Sequence, residues 1–379
     1  MDFPYLILYI ILLILSINEW RKPSYSGKYY KIASWVVFIF IAFRAPVVGA
    51  DTWGYYRYAI GIRNFYNYDQ RELEPLYLIY NSFWRNYCPL GLLWMIVNTL
   101  IIFSPIWYIL KKYVKYKTLG VFLFFAVFHF SPFFVALRQI LSLSIILWGV
   151  VYVMEDKKYK WLFFLGLCSI AYFMHTTAVV VGFFYIVAYF FPLKSKLLPF
   201  AVIVGSSIVG IILIKIDVLQ IFQLLLAADI SVFERVKCYF EDEELKDNIN
   251  ITVTLRNSVM SIIAFYLMDK EKVNHWFSKI YLIGVVLFNL FCSVPMIHRM
   301  IMANTLFVIV VFPWILEGKI YFKKKSRQLI NIMLVLLVLY YSRSWILTNS
   351  NYDIKSNERM HPYYFFFQDY SSHPSIRYF

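Results

Sequence analysis

The chain reads as repeated apolar runs separated by short lysine-rich knots. A hydrocarbon core about 30 Å thick takes roughly 20 residues of helix to cross. On that measure the runs at 3–17, 32–43, 89–110, 118–135, 136–154, 161–174, 176–191, 197–214, 251–268, 276–293, 300–316 and 329–347 predict about twelve transmembrane helices. The fold class is therefore all-α: a polytopic integral membrane protein forming one transmembrane domain over residues 1–379. The first run has neither a basic leading region nor an A-x-A-like cleavage site, so it reads as a retained helix and not a signal peptide.

The knots alternate. Basic clusters follow the first, third, fifth, seventh, ninth and eleventh runs, which puts every second connection in the cytoplasm and both termini outside. Two outer segments are long. Residues 44–88 hold the polar-aromatic run GADTWGYYRYAIG and then Glu72 and Glu74 before Pro75. Residues 215–250 join an apolar stretch to the acidic run EDEEL and read as an amphipathic or re-entrant helix at the outer interface. The outer tail, 348–379, is rich in Tyr, Phe and His and reads as a folded cap or interfacial belt.

Composition agrees. Of 379 residues 61% are hydrophobic and 16% charged, against about a quarter charged in a soluble domain. The net charge of +15 would suggest a polyanion partner. On the predicted topology, however, the whole surplus is cytoplasmic and the outer face is neutral, so a nucleic-acid partner is not expected. Of the 21 basic residues inside, all but Arg21 and Arg327 are lysine; of the 16 outside, twelve are arginine. A planar guanidinium grips carboxylates and phosphates bidentately, so a one-sided arginine excess suggests an anionic ligand there, although arginines also serve as interfacial anchors. The four cysteines are scattered with no zinc or disulfide spacing.

Several outer charges come too early for a full crossing. Twelve residues separate Lys31 from Arg44, fourteen Lys160 from His175, sixteen Arg138 from Glu155, twelve Arg256 from Asp269, and seventeen Arg299 from Glu317. At 1.5 Å per residue, twelve residues rise only about 18 Å. A group at such depth faces a cavity or a partner, or snorkels if its side chain is long. Jointly, Arg44, Arg138, Arg256 and Arg299 suggest a cationic cavity opening outward, suited to a phosphate or pyrophosphate whose apolar tail stays in the bilayer. Asp51 and His175 offer a base for a hydroxyl proton, and Trp53, Tyr55 and Tyr56 offer faces for a sugar. Asp51 also has the simpler reading of an ion pair orienting an arginine, and His175 that of a hydrogen-bonded interior histidine. There is no D-x-D pair, metal-ligand cluster, P-loop or G-x-S-x-G elbow, so the sequence supports neither a metal nor a cofactor.

Three segments carry a resemblance. FRAPVVGADTWGYY at 43–56 resembles the R…G-x-D-x-x-x-Y signature of the EpsG-like family among Wzy-type polysaccharide polymerases. ALRQILSLSIIL at 136–147 is similar to that family's R-Q-x-x-A-x-S helix, and MHTTAVVV at 174–181 to its H-[ST]-[ST]-A segment, with His298 and Arg299 near the last helices. Thr52, and Leu141 with Ser142, depart from the pattern without touching its charged positions.

The resemblance implies a glycosyltransferase-C-like membrane architecture in the bacterial inner membrane. It also implies an O-antigen, capsule or exopolysaccharide polymerase that joins polyprenyl-pyrophosphate-linked oligosaccharide units at the periplasmic face, with a chain-length regulator as partner and no nucleotide-sugar. In that setting Arg138 and Arg299, with Arg44 and Arg256 in support, would clamp the pyrophosphate. Asp51 or His175 would be the base, and Tyr55, Tyr56, Gln139 and His298 would bind substrate. Two rival classes fit less well. A flippase predicts charge spread through the bilayer and repeated halves, and a membrane acyltransferase predicts a histidine deep in a core helix.

Overall fold

The computed structural model describes residues 3–49, 52–61, 73–128, 136–193, 195–215, 251–291, 297–318, 363–369 and 371. Among these residues every regular element is helical, and the one β-type contact is an isolated antiparallel bridge between Arg44 and Phe365. They form two compact units, one reaching to Gly182 and including the described C-terminal segment, the other beginning at Phe183.

The first unit holds α1 (Phe3–Arg21), a 3-10 turn (Pro23–Tyr25), α2 (Ser26–Ala42), α3 (Thr52–Ala59), α4 (Pro75–Tyr87), α5 (Gly91–Tyr113), α6 (Lys117–Phe128), α7 (Leu137–Met154) and α8 (Lys160–Met174). Here α9 (Ala178–Phe190) also starts. In α1, Tyr5, Leu8, Tyr9, Leu12, Ser16 and Glu19 are buried along one face, while Ile7, Ile10, Ile14 and Ile17 on the other are 39–52% exposed. A helix apolar all round has no water-facing side; its open isoleucine stripe is a surface for lipid. The same holds for α8, whose Leu162, Phe163, Leu165, Ile170 and Phe173 are exposed. Among the described residues three helices, α1, α5 and α7, are long and apolar enough to cross a membrane.

The most enclosed of these is α7, whose Ile140, Ile146 and Val150 are fully buried. It lies close against α8 because Gly149 leaves room: a Cβ there would stand 2.9 Å from Phe164 Cδ2. Near its other end the Ser142 hydroxyl donates to the Ala171 carbonyl of α8 at 3.0 Å. Small residues and interhelical hydrogen bonds are the usual adhesives where lipid removes the hydrophobic drive for association.

The second unit comprises the rest of α9, α10 (Leu197–Lys215), α11 (Ile251–Leu267), the short α12 (Lys270–Val273), α13 (Trp276–Leu290), α14 (Ile297–Thr305) and α15 (Val308–Ile315). Its packing again turns on glycine, since a Cβ on Gly210 would lie 1.9 Å from the Asn289 carbonyl oxygen. The Asn289 amide donates to Ser206 at 3.0 Å and Ser207 at 3.1 Å, and its oxygen accepts from Ser258 at 3.0 Å. These buried polar groups satisfy one another, as an apolar surround requires.

Helices stand at each predicted run except 329–347, which lies outside the described residues, as does 216–250 of the second outer segment. Two differences stand out. The segment 44–88 contains α3 and α4, and the run 300–316 is interrupted at Leu306 and Phe307, dividing α14 from α15. Of the tail, residues 363–369 pack back on the first unit. Tyr363 stacks on Phe40 with centroids 4.3 Å apart and meets Tyr5 edge-on, and its hydroxyl donates to the Phe40 carbonyl. The Ala45 amide donates to Tyr364 O and the Phe366 amide to Phe43 O, each at 2.8 Å, so this strap grips the chain on both sides of Arg44.

Candidate functional site

The short connection after α7 turns the chain back as α8, so the start of α7 and the end of α8 share one end of the first unit. Arg138 is the second residue of α7, and His175 directly follows α8. Between them comes Glu74. Pro75 at the first position of α4 starts that helix, because its ring presets φ and it needs no amide partner there. Glu74 is left extended at the cap and makes no capping bond to its own helix. Instead Oε2 lies 2.7 Å from Arg138 Nη1, and Oε1 accepts the Thr176 amide at 3.2 Å.

Arg138 is held at a second edge, where Nε donates to the Tyr55 hydroxyl of α3 at 2.9 Å. The guanidinium carbon lies 5.6 Å from the Tyr55 ring centre and 5.8 Å from that of Tyr77, one turn into α4. The two rings meet edge to face at 5.3 Å. The ion pair is largely enclosed, with side-chain exposures of 21% for Arg138 and 9% for Glu74. At such burial, losing one partner strands the other charge and costs about 3–5 kcal/mol.

The His175 ring is fixed through Nδ1, which accepts the Thr177 amide at 3.3 Å and lies 2.8 Å from the Thr177 hydroxyl. Accepting at Nδ1 leaves the proton of the neutral ring on Nε2. Burial pulls the imidazole down to about 4; the Glu74 carboxylate opposes that shift and Arg138 reinforces it. At neutral pH the ring is therefore uncharged, the form that can take a proton.

Arg44 lies just past α2, buried at 4% exposure, and its Nη2 donates to the Thr52 hydroxyl at 3.2 Å. Burial lowers it to about 10, which leaves it cationic at neutral pH. Thr52 opens the same α3 that carries Tyr55, so one eight-residue helix touches both arginines. Tyr56 turns the other way: it is buried against Trp53, Trp94 and Phe366, and a Cβ on Gly91 would lie 2.2 Å from its hydroxyl. Gln139 is buried beside Arg138 on α7.

The structure thus brings Arg138, Tyr55 and His175 together around Glu74, with Arg44 attached through α3. Arg256 on α11, and His298 and Arg299 on α14, belong to the second unit. Asp51 lies outside the described residues. Glu74, Tyr77 and Thr176 were not expected at a site. The Glu-Pro step at a helix start was the available signal for Glu74, and it was readable only as a boundary. Among the described residues no three His, Cys, Asp or Glu side chains form a ligand set for a metal ion.

The far end of α7 is different in kind. There Glu155 bonds Lys112, Lys157 and Tyr108, and those partners hold its carboxyl down to about 2. Eighteen helical residues, about 27 Å, separate this lysine-rich end from the arginine end.

Comparison with the curated proteins and with the solved structures returned no match. A family model does match, over residues 28–365, a span that contains every element of the Arg138 site. The chain belongs to the EpsG family, membrane proteins of polysaccharide biosynthesis.

Proposed function

We propose that the protein is a polysaccharide polymerase of about twelve spans and glycosyltransferase-C-like architecture. It would lie in the bacterial inner membrane and join polyprenyl-pyrophosphate-linked repeat units, of O-antigen, capsule or exopolysaccharide, at the periplasmic face. The observation that carries this reading is the enclosed end of the first unit, where a guanidinium held at two edges stands beside an imidazole oriented through Nδ1.

In the reaction, a hydroxyl of the lipid-linked acceptor attacks the anomeric carbon of the growing chain. The new C–O bond forms as the bond from that carbon to the pyrophosphate oxygen breaks. The hydroxyl proton passes to His175 or Asp51, and polyprenyl pyrophosphate leaves with the bonding electron pair. Negative charge grows on the leaving group, where preorganised cations lower the barrier. Arg138 would take that role in the first unit, with Arg44 in support and Tyr55 and Gln139 binding substrate; for Arg299, Arg256 and His298 of the second unit such roles rest on the sequence alone. A chain-length regulator is the expected protein partner, and the reaction draws on no metal or cofactor.

The test is purified protein supplied with a defined polyprenyl-pyrophosphate repeat unit and no nucleotide-sugar. Elongation into a ladder of repeat lengths supports the reading. No elongation, together with movement of the lipid across vesicle bilayers, would overturn it in favour of a flippase.

A further inference from the structure

One carboxylate connects the two chemistry-bearing side chains of the first unit. Glu74 Oε2 pairs with Arg138 Nη1 at 2.7 Å, and Oε1 accepts the amide of Thr176 at 3.2 Å. Thr176 sits between His175 and Thr177, and it is Thr177 that holds the His175 ring through amide and hydroxyl. A single side chain thereby ties the start of α7 to the turn that orients the imidazole. Both of its oxygens are engaged by neighbouring groups of the protein.

We propose that Glu74 is a positioning residue for glycosyl transfer: it sets the aim of the Arg138 fork and the placement of His175, joining them into one unit. The inference rests on the polymerase reading for its chemistry and on the ion pair and the Thr176 bond for its geometry. It also has an electrostatic side. Among the described residues, the charged and titratable groups facing His175 are Glu74 from the start of α4 and Arg138 from α7, the latter bonded to the Tyr55 phenol of α3. With the Glu74 charge removed, Arg138 acts on the ring unopposed, and protonating His175 becomes harder still.

The substitution E74Q keeps an oxygen for the Thr176 amide while removing the charge, and E74D keeps the charge on a shorter arm. Full-length protein in lipid nanodiscs would be assayed for elongation of the polyprenyl-pyrophosphate repeat unit across pH. The His175 ring would be titrated by NMR in histidine-labelled samples, with H175Q giving the assignment. Misaiming a reacting group by about 1 Å costs on the order of 100-fold in rate. E74Q is therefore expected to lower kcat by about 10- to 100-fold with no rise in the KM for the lipid donor, since an anion that competes for Arg138 is gone. The acid limb of the rate profile and the His175 titration both move to lower pH, and E74D recovers part of kcat.

An unchanged kcat with an unchanged His175 titration overturns the proposal. So does a loss of activity that only follows the loss of folded protein while the titration stays in place; if E74Q does not fold, E74D is judged by the same two readouts. Should the wild type elongate nothing, the polymerase reading fails, and the titration alone decides the link: a His175 shift upholds it and a fixed His175 overturns it.

Discussion

Glu19, near the end of α1, accepts the amide of Thr118 at 2.9 Å and that of Leu119 at 3.3 Å, capping a helix that begins far along the chain. Tyr116, just before α6, has no short side-chain acceptor of its own for those amides. Glu19 is fully buried, and the Ser26 hydroxyl donates to its other oxygen at 2.5 Å. Glu19→Leu strands two amides and should destabilise the protein by about 2–4 kcal/mol, whereas Glu19→Gln keeps an acceptor and should cost about 1 kcal/mol. Thermal unfolding in detergent measures both, and equal losses would mean that capping is not what Glu19 does.

Two glycines of α10 should respond in opposite ways. At Gly210 a Cβ would run into the Asn289 carbonyl, while at Gly205 it would meet nothing within 4 Å. Gly210→Ala should destabilise by about 1–3 kcal/mol through overpacking. Gly205→Ala should stabilise by about 0.5–1 kcal/mol through the lower entropy of the unfolded chain. Unfolding midpoints of the two variants, measured side by side, check the α10–α13 contact, and equal shifts would mean that Gly210 does not meet Asn289.

Tyr55→Phe removes the acceptor for Arg138 Nε and leaves the ring beneath the guanidinium. A hydrogen bond to a charged group is worth about 1.5–3 kcal/mol, which corresponds to a fall of roughly 10- to 100-fold in kcat/KM for elongation. Tyr55→Ala, losing the ring as well, should fall further. Steady-state kinetics on the lipid-linked repeat unit provides the check, and a phenylalanine variant as fast as the wild type would separate Tyr55 from the work of Arg138.

The two histidines held near 4, His175 and His275, give a defined pH response. Burial is the main cause in each; for His275 the charges of Lys272 and Lys279 add to it. An unfolded histidine titrates near 6.5, so between about 6.5 and 4 the unfolded chain binds more protons than the folded one. The stability these rings contribute is complete above about pH 6.5 and drains away as the pH falls toward 4. Unfolding temperatures measured across that window should slope downward in the wild type and flatten when His175→Gln and His275→Gln are combined. Elongation should likewise hold its rate well below pH 6.5 and fail nearer 4. A rate limb at 6.5 would mean that the catalytic base is some other group.

How much of this could be read from the sequence depended on what the lipid-facing helices demand. The run 136–154 became α7 (Leu137–Met154), and 161–174 became α8 (Lys160–Met174), because a helix that must be apolar on every side announces itself as an unbroken run. By contrast α3 and α4 were hidden. TWGYYRYA and PLYLIYNSFWRNY mix polar and aromatic residues, and a segment that is half apolar sets no hydropathy signal. The candidate site followed the same line. Arg138 and His175 were visible because a charge next to an apolar run is out of place, but Glu74 stood in an already polar stretch and was ordinary there. Its partner is sixty-four positions away, a relation that only the folded chain contains.

The strap at Tyr363–Gln368 has a consequence for biosynthesis. Tyr363 fills the space between Tyr5 and Phe40, and the residues after it bond the chain beside Arg44. During translation the aromatic socket made by the first two helices is therefore in the membrane long before its occupant leaves the ribosome. Every helix of the second unit must be made in the interval. Arg44, buried in the folded protein, acquires its surroundings only once synthesis has reached this strap, so a chain interrupted before it would leave that arginine without its cover.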